Sequence, residues 1–213
     1  MKHDPDKHHR QSIRLKGYDY SQAGAYFVTI CTQDRECLLG DIVDGEMRLN
    51  DVGQMVQDVW NDLPARYPDV ETDGFVVMPN HVHGIIVIVG APLVGALPLV
   101  GAHFPGTMNH DTEKRAGTRP APTLGDAVGA FKSIATHQYT DGVKQKNWPS
   151  FNGRLWQRNY YEHIIRSEEE MNRIREYIIN NPLKWEYDEN NPGNIIHRRG
   201  GSRTAPTNIP NIL

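Results

Sequence analysis

The chain is poor in cysteine and in long apolar stretches. Its 213 residues include two cysteines, Cys31 and Cys37, which form no Cys-x-x-Cys pair. This count excludes a disulfide framework, so we expect both thiols to be reduced packing residues. No apolar run is close to the length of a membrane-spanning helix, which is about 20 residues. The N-terminal segment MKHDPDKHHRQ lacks the apolar core of a signal peptide. We therefore expect a soluble cytoplasmic protein that makes no contact with membranes.

An overall excess of positive charge is also missing. The formal net charge is −3, which is not typical of a nucleic-acid-binding protein. Basic residues nevertheless cluster locally, and net charge is a poor guide when they do. The clusters lie at 10–16, 154–158, 173–175 and 197–203. A solvated charged surface explains each cluster taken alone, and nucleic-acid binding stays open.

Length and composition favour one globular domain. Hydrophobic residues make up 38% and charged residues 23% of the chain, which is typical of a folded protein. We predict a single domain over residues 1–188, with a Gly- and Pro-rich insertion at 89–122 in which Val-Gly-Ala occurs three times. Residues 189–213 lack periodicity and are predicted to form a disordered tail.

Hydrophobic periodicity and capping residues predict the order strand, hairpin, helix, strand, strand, long loop, helix, strand, helix. Strands joined by tight turns, with helices between them, indicate an α+β fold with an antiparallel-dominated sheet and helices packed on one face. The predicted strands lie at about 26–32, 70–79, 81–89 and within 155–166, the hairpin lies at Asp44-Gly45, and the helices follow Asn50 or Asp51, Thr123 and Ser167.

Two histidines stand at the head of one predicted strand, in MPNHVHGIIVI over residues 78–88. Side chains alternate along a strand, so His81 and His83 point to the same side. The residues after them are apolar on both parities, which is typical of a strand buried on both faces. A buried imidazole still needs partners for its two nitrogens. The pair therefore fits a metal or charged ligand, or two strand histidines hydrogen-bonded to the backbone or solvent.

The last predicted helix carries Tyr177 and Asn181 four residues apart, and hence on one face. Packed against the histidine strand, it would add an amide oxygen to two imidazoles, which makes three metal ligands. The Tyr177 phenol could then attack a phosphate and form a covalent phosphotyrosine. A helix aromatic at the edge of the core explains Tyr177 equally simply.

Three motifs occur in an order that resembles the REP-associated tyrosine transposases, which are single-tyrosine HUH transposases of the IS200-like superfamily. They are His-x-His on a strand, Trp-Gln followed by Glu-His-x-x-Arg, and Tyr-x-x-x-Asn-Pro at the end of a helix. The correspondence covers roughly residues 10–188, except for the insertion. A bare His-x-His would be a weak signal, and the spacing of all three makes it specific.

The resemblance implies a ferredoxin-like HUH fold and cleavage of single-stranded, hairpin-containing DNA by a monomer or homodimer. It places His81 and His83 on a Mg²⁺ or Mn²⁺ ion and makes Tyr177 the nucleophile, which leaves a 5′-phosphotyrosine and a free 3′-hydroxyl. Asn181 would be the third ligand, where relatives have a glutamine whose side chain is longer.

Further residues are predicted to contact DNA, although ordinary structural roles explain each of them as well. The basic ones would bind phosphates, His163 would orient a phosphate or water, and the aromatic ones would stack on unpaired bases. They are Arg10, Arg14, Lys16, Lys132, Trp156, Arg158, Tyr160, Tyr161, His163 and Arg166.

Two other functions compete with cleavage of DNA. A catalytically silent nucleic-acid-binding protein derived from a transposase would have the same fold, but His81, His83 and Tyr177 are all present. A nucleotide hydrolase of the histidine-triad kind needs a third histidine at the next same-face position, which is Ile85. The sequence therefore favours the DNA-cleaving enzyme.

Overall fold

The computed structural model describes residues 22–89 and 122–194. In these two ranges the strands are β1 (Gly24–Cys31), β2 (Gly40–Val43), β3 (Glu46–Leu49), β4 (Val70–Met78), β5 (His81–Ile88) and β6 (Tyr161–Ile165). The helices are α1 (Asp51–Asn61), α2 (Leu63–Arg66), α3 (Leu124–Gln145) and α4 (Glu168–Ile179), and a 3-10 helix follows at Pro182–Tyr187. No described helix combines the length and apolarity that crossing a membrane requires.

The main sheet has the strand order β4-β5-β1-β6, and every neighbouring pair is antiparallel. With α1 after β1 and α3 after β5, the chain follows the strand-helix-strand-strand-helix-strand order of a ferredoxin-like fold. This confirms the predicted α+β class with an antiparallel sheet. The separate hairpin β2–β3 turns at Asp44 and Gly45, whose φ angles of 53° and 77° suit the two central residues of a tight hairpin turn.

The helices begin at the capping residues that the sequence indicates. The Asn50 side chain accepts a hydrogen bond from the Gly53 N–H at 2.9 Å. Thr123 and Asp126 form a reciprocal capping box at the start of α3. The Ser167 hydroxyl accepts from the Glu170 N–H at 3.1 Å. These bonds satisfy N–H groups that the first turn of a helix leaves without partners.

Alternate residues of β1 lie in two separate cores. Tyr26 and Val28 belong to the larger core, which includes the buried faces of α1 and α3. Phe27 belongs to a smaller core with Ile174 and Ile178 of α4. The prediction that the helices share one face is therefore wrong for α4. The physical reason is that the central strands carry apolar side chains on both faces of the sheet, so both faces need an apolar cover.

Several predictions fall on residues outside the described ranges. These are the N-terminal arm with Arg10, Arg14 and Lys16, almost all of the insertion (90–121), and the C-terminal residues 195–213. Asn190, which we assigned to the tail, is buried, and its backbone carbonyl accepts from the Asn80 side chain at 2.8 Å. The boundary at 188 is thus placed too early, because an irregular segment fixed by hydrogen bonds has no apolar period to read.

Candidate active site

His81 and His83 lie on the face of β5 that is covered by α4. Both are almost fully buried, at 0% and 2% exposure. Their partners across β1 are Cys31 and Thr29, which point to the same side. The alternation of the strand thus brings both imidazoles into one enclosed space next to the last helix.

Hydrogen bonds set which nitrogen of His81 faces that space. The Asn80 amide nitrogen donates to the backbone carbonyls of Arg35 (3.0 Å) and Asn190 (2.8 Å), which identifies the other end of the amide as the oxygen. That oxygen lies 2.9 Å from Nδ1 of His81, so Nδ1 carries the proton and donates. The Nε2 atom of His81 is therefore left with a lone pair.

His83 has a matching arrangement. Its Nδ1 lies 2.8 Å from the hydroxyl oxygen of Thr29. Its Nε2 lies 3.1 Å from Nε2 of His81. Two ligands at right angles, each about 2.1 Å from one ion, are about 3.0 Å apart, so the spacing fits joint coordination of a cation. Hydrogen bonds at the far nitrogens orient metal-binding imidazoles in just this way.

Both imidazoles are neutral at pH 7. Burial lowers the pKa of His81 to about 3, and the positive charge of Arg35 adds to this effect. Burial, followed by the neighbouring His81, holds the pKa of His83 well below its ordinary value. A neutral imidazole is the form that binds a metal ion. The enclosure of the two rings therefore keeps them ready as ligands.

Asp188, which the sequence did not single out, forms a group of three possible metal ligands with His81 and His83. Its Oδ2 lies 3.7 Å from Nε2 of His81, and the ligand atoms of His81, His83 and Asp188 all lie within 4.8 Å of one another. Its Oδ1 accepts from the Asn190 N–H at 2.6 Å, which holds the carboxylate in place. The chain around Asp188 has no periodicity, and no sequence signal distinguishes this acid from the neighbouring Glu186 and Glu189.

Tyr177 lies against the same imidazoles. Its ring centroid is 5.3 Å from that of His83 and 5.9 Å from that of Phe27, in edge-to-face contact with both. Burial, followed by the Asp188 charge, raises the pKa of the phenol to about 12, although the Asn181 amide acts in the opposite direction. The phenol is therefore protonated at neutral pH, close to the three candidate metal ligands.

Asn181 is buried just after α4, and its Oδ1 has no hydrogen-bond partner among the described residues. A buried amide oxygen without a partner is costly, and a bound cation would relieve that cost. The donor set of two neutral imidazoles, one carboxylate and one such amide oxygen fits a divalent cation. Asn181 remains a predicted ligand, and Asp188 joins it.

Two of the predicted DNA contacts are committed to the protein interior. Trp156 is 5% exposed and packs on Phe131 with 5.6 Å between ring centroids, so its ring is closed to a base. The Lys132 ammonium donates to the backbone carbonyls of residues 157–159 at 2.9, 3.4 and 3.2 Å. Burial lowers the pKa of Lys132 to about 8. Both side chains hold the segment before β6, and their assignment as DNA contacts stays a prediction.

The tyrosines of this segment lie on different sides. Tyr160 packs beside the larger core, with the Lys132 ammonium 5.3 Å from its ring centroid. Tyr161 lies on the site face, with its ring 6.3 Å from that of Phe27. Both are half-buried, so Tyr161 is the better placed of the two to meet a ligand of the site.

His163 stabilises the start of α4. Its Nε2 lies 2.7 Å from Oε1 of Glu170, whose Oε2 accepts from the Arg166 N–H at 2.7 Å. A phosphate contact by His163 would require this ion pair to break. The side chains of Arg158 and Arg166 are exposed, which leaves their predicted contacts with DNA open.

Comparison with known proteins gives relatives of two kinds. No protein-family model matches the chain. An uncharacterized protein of Haemophilus influenzae is 42% identical over 192 residues, covering 88% of this chain and 96% of the relative. A second protein of that organism, named "Putative REP-associated tyrosine transposase", is 24% identical over 174 residues, covering 80% and 77%.

Among solved structures, one of a REP-associated tyrosine transposase bound to a REP hairpin superposes with a TM-score of 0.49 and 18% identity, covering 82% of this chain and 76% of that chain. The second relative bears the name of the family that the three sequence motifs resemble, which confirms that resemblance. The first relative matches over almost its full length. The chain therefore belongs to one family with this uncharacterized Haemophilus influenzae protein.

Proposed function

We propose that the protein is a transposase-like enzyme that cleaves and rejoins single-stranded DNA through Tyr177. The observation that supports this most directly is the edge-to-face contact of Tyr177 with His83, beside the facing Nε2 atoms of the two histidines. A nucleophile and a set of metal-binding groups thus share one pocket. The name of the more distant curated relative supports the same reaction class.

In the proposed cleavage, Oη of Tyr177 attacks the phosphorus of a DNA phosphodiester. The phenolic proton passes to solvent, a bond from Oη to phosphorus forms, and the bond from phosphorus to the 3′ oxygen breaks. The 3′ oxygen takes up a proton and leaves as a hydroxyl, while the 5′ phosphate stays on Tyr177. Attack by a 3′-hydroxyl on the phosphotyrosine reverses the bonds and joins two strands.

His81, His83 and Asp188 would hold a divalent ion, with Asn181 as a further oxygen ligand. When bound, the ion would polarise the phosphate and stabilise negative charge on the leaving 3′ oxygen. Mg²⁺ or Mn²⁺ would serve, and the two imidazole nitrogens favour Mn²⁺ of the two.

The protonated state of Tyr177 sets what the rest of the site must contribute. With its pKa raised to about 12, the phenol has to lose its proton as the new bond forms. Holding the phenol in line with the phosphate can contribute up to about 7–11 kcal/mol in favourable cases. The packing of Tyr177 between Phe27 and His83 restricts its ring to one region and suits that role.

We propose, from the resemblance that the three sequence motifs carry, that the substrate is single-stranded DNA that contains a hairpin. The test is incubation of purified protein with such DNA, labelled at either end, in the presence of Mn²⁺ or EDTA, followed by a denaturing gel. A protein–DNA adduct that carries the 3′-side fragment, and that EDTA abolishes, is the expected result. Tight binding without an adduct under any metal would instead identify a catalytically silent DNA-binding protein.

A further inference from the structure

The loop after β1 holds its backbone in a conformation that is unusual for the residues it contains. Asp34 and Arg35 have φ angles of 54° and 57°, in the left-handed region that favours glycine. The other non-glycine residues with positive φ in the described ranges are Asp44 and Asn147, of types that tolerate this region. Arg35 stands apart from them because a long side chain brings no local hydrogen bond that would offset the strain.

The strained loop is tied to the metal-binding histidines. The Asn80 amide oxygen accepts the hydrogen bond from Nδ1 of His81, and the amide nitrogen of the same side chain donates to the backbone carbonyl of Arg35 at 3.0 Å. The Thr32 N–H donates to the Asn80 carbonyl at 2.9 Å, and the Thr32 hydroxyl donates to the Glu36 carbonyl at 2.8 Å. One asparagine thus fixes both the orientation of an imidazole and the position of Arg35.

The Arg35 guanidinium contacts the chain next to Asp188. Its Nη1 donates to the carbonyl of Glu189, the residue after Asp188, at 3.2 Å. A guanidinium has five N–H donors in a planar fork, which matches the oxygens of a phosphate. The bond to Glu189 uses one donor and aims the group along the segment that carries Asp188.

We propose that Arg35 is a catalytic residue that binds the DNA phosphate attacked by Tyr177 and neutralises the charge that develops there. This inference rests on the proposed function. Asn80 holds the left-handed backbone in place, and from there the Arg35 side chain extends to the carbonyl of Glu189, next to Asp188. Arg35 then supplies positive charge from the β1 side, while the metal-binding groups lie on β5 and after α4.

The test compares Arg35→Asn, Arg35→Lys and the wild type in single-turnover cleavage. Asparagine suits a left-handed backbone, so Arg35→Asn should fold with an unchanged or higher melting temperature. Its cleavage rate should fall by about 100-fold or more, as for loss of one group that stabilises transition-state charge. Arg35→Lys keeps the charge and should lie between the two. Arg48→Asn, which changes an exposed arginine of the β2–β3 hairpin, is the matched control.

Two further measurements separate catalysis from support of the loop. The Mn²⁺ affinity of Arg35→Asn should weaken by less than the about 10-fold that loss of a positioning contact costs. A neutral methylphosphonate at the cleaved position removes the charge that Arg35 binds, so there the gap between wild type and Arg35→Asn should shrink. The proposal would be overturned if the difference in cleavage rate between wild type and Arg35→Asn stayed the same on this substrate. It would also be overturned if Arg35→Asn lost Mn²⁺ affinity and melting temperature in parallel with its cleavage rate.

The outcome for the wild type distinguishes this inference from the proposed function. A wild-type protein that forms no adduct through Tyr177 overturns the proposed function and, with it, the role of Arg35. An adduct that Arg35→Asn forms as fast as the wild type overturns the role of Arg35 alone.

Discussion

The phenol ring of Tyr177 meets the imidazole of His83 edge to face, at 5.3 Å between centroids and 64° between planes. Packing on the site face of the sheet determines this contact. Ile174 and Ile178 of α4 are buried in the smaller core, and Arg175 forms two hydrogen bonds of 2.7 and 2.8 Å to the Asp73 carboxylate of β4. The helix that carries Tyr177 is therefore attached to the sheet by apolar contacts and by a bidentate ion pair.

Replacing Tyr177 by phenylalanine should abolish cleavage while preserving the fold. The substitution removes the hydroxyl and keeps the ring that packs on Phe27 and His83. We expect the single-turnover rate to fall at least about 10⁴-fold, as for loss of a nucleophile, with the urea midpoint nearly unchanged. Tyr161→Phe is the control, because Tyr161 lies on the same face and also contacts Phe27. Adduct formation by Tyr177→Phe, with loss in Tyr161→Phe, would reassign the nucleophile.

Asp188→Ala should weaken Mn²⁺ binding about 10- to 100-fold, a loss of the size seen when a group that supports a metal site is removed. The reason is the position of its Oδ2, 3.7 Å from Nε2 of His81. Isothermal titration with Mn²⁺ measures the effect, and Glu186→Ala, which changes an exposed acid on the 3-10 helix just before Asp188, is the control. Asn181→Ala tests the amide ligand in the same assay. Full affinity in Asp188→Ala and loss in Asn181→Ala would show that the amide ligates and the carboxylate does not.

Without metal, the protein should lose stability as the pH falls below about 6.5. The pKa of His81 is 6.5 in the unfolded state and about 3 in the folded state. Between these two pH values the unfolded state binds a proton at His81 and the folded state does not. Stability then falls by about 1.4 kcal/mol per pH unit for this one histidine. His83, whose pKa is also lowered, adds to the slope.

Urea unfolding in EDTA at pH 7.5, 5.5 and 4.5 measures this dependence. His81→Leu should reduce the change in the free energy of unfolding with pH, because it removes one of the two groups that bind a proton only in the unfolded state. His137→Gln should leave it unchanged, because the His137 side chain is 80% exposed. A stability that stays constant from pH 7.5 to 4.5 would contradict the neutral, buried state of the two imidazoles.

Gly84→Ala should destabilise the fold. An added Cβ at Gly84, between His83 and Ile85 on β5, would collide with the Trp60 ring of α1. Overpacking of this kind costs about 1–3 kcal/mol. Gly129→Ala is the matched control, since nothing lies within 4 Å of a Cβ there and alanine in a helix gains about 0.5–1 kcal/mol over glycine. Equal urea midpoints for the two variants would contradict the packing of α1 on the sheet.

Local patterns predicted most of the elements because each depends on near neighbours in the chain. The Asp44-Gly45 turn, the caps at Asn50, Thr123 and Ser167, and the alternation that aligns His81 with His83 were all readable in this way. Ser167 and Glu170 have the spacing of a capping box, but only the bond from the Glu170 N–H to Ser167 forms. The Glu170 carboxylate binds His163 and the Arg166 N–H instead, a competition that spacing along the chain does not reveal.

The residue types of the pocket, two imidazoles on one strand and a phenol on the last helix, follow from periodicity together with the resemblance to a transposase family. Folding alone brings Asp188 to His81 across more than 100 positions of the chain, commits Lys132 and Trp156 to the interior, and brings Arg35 to the carbonyl of Glu189. The physical reason is one of range. Alternation and capping act between residues a few positions apart, whereas these contacts depend on how the sheet, α4 and the segment after α4 pack together.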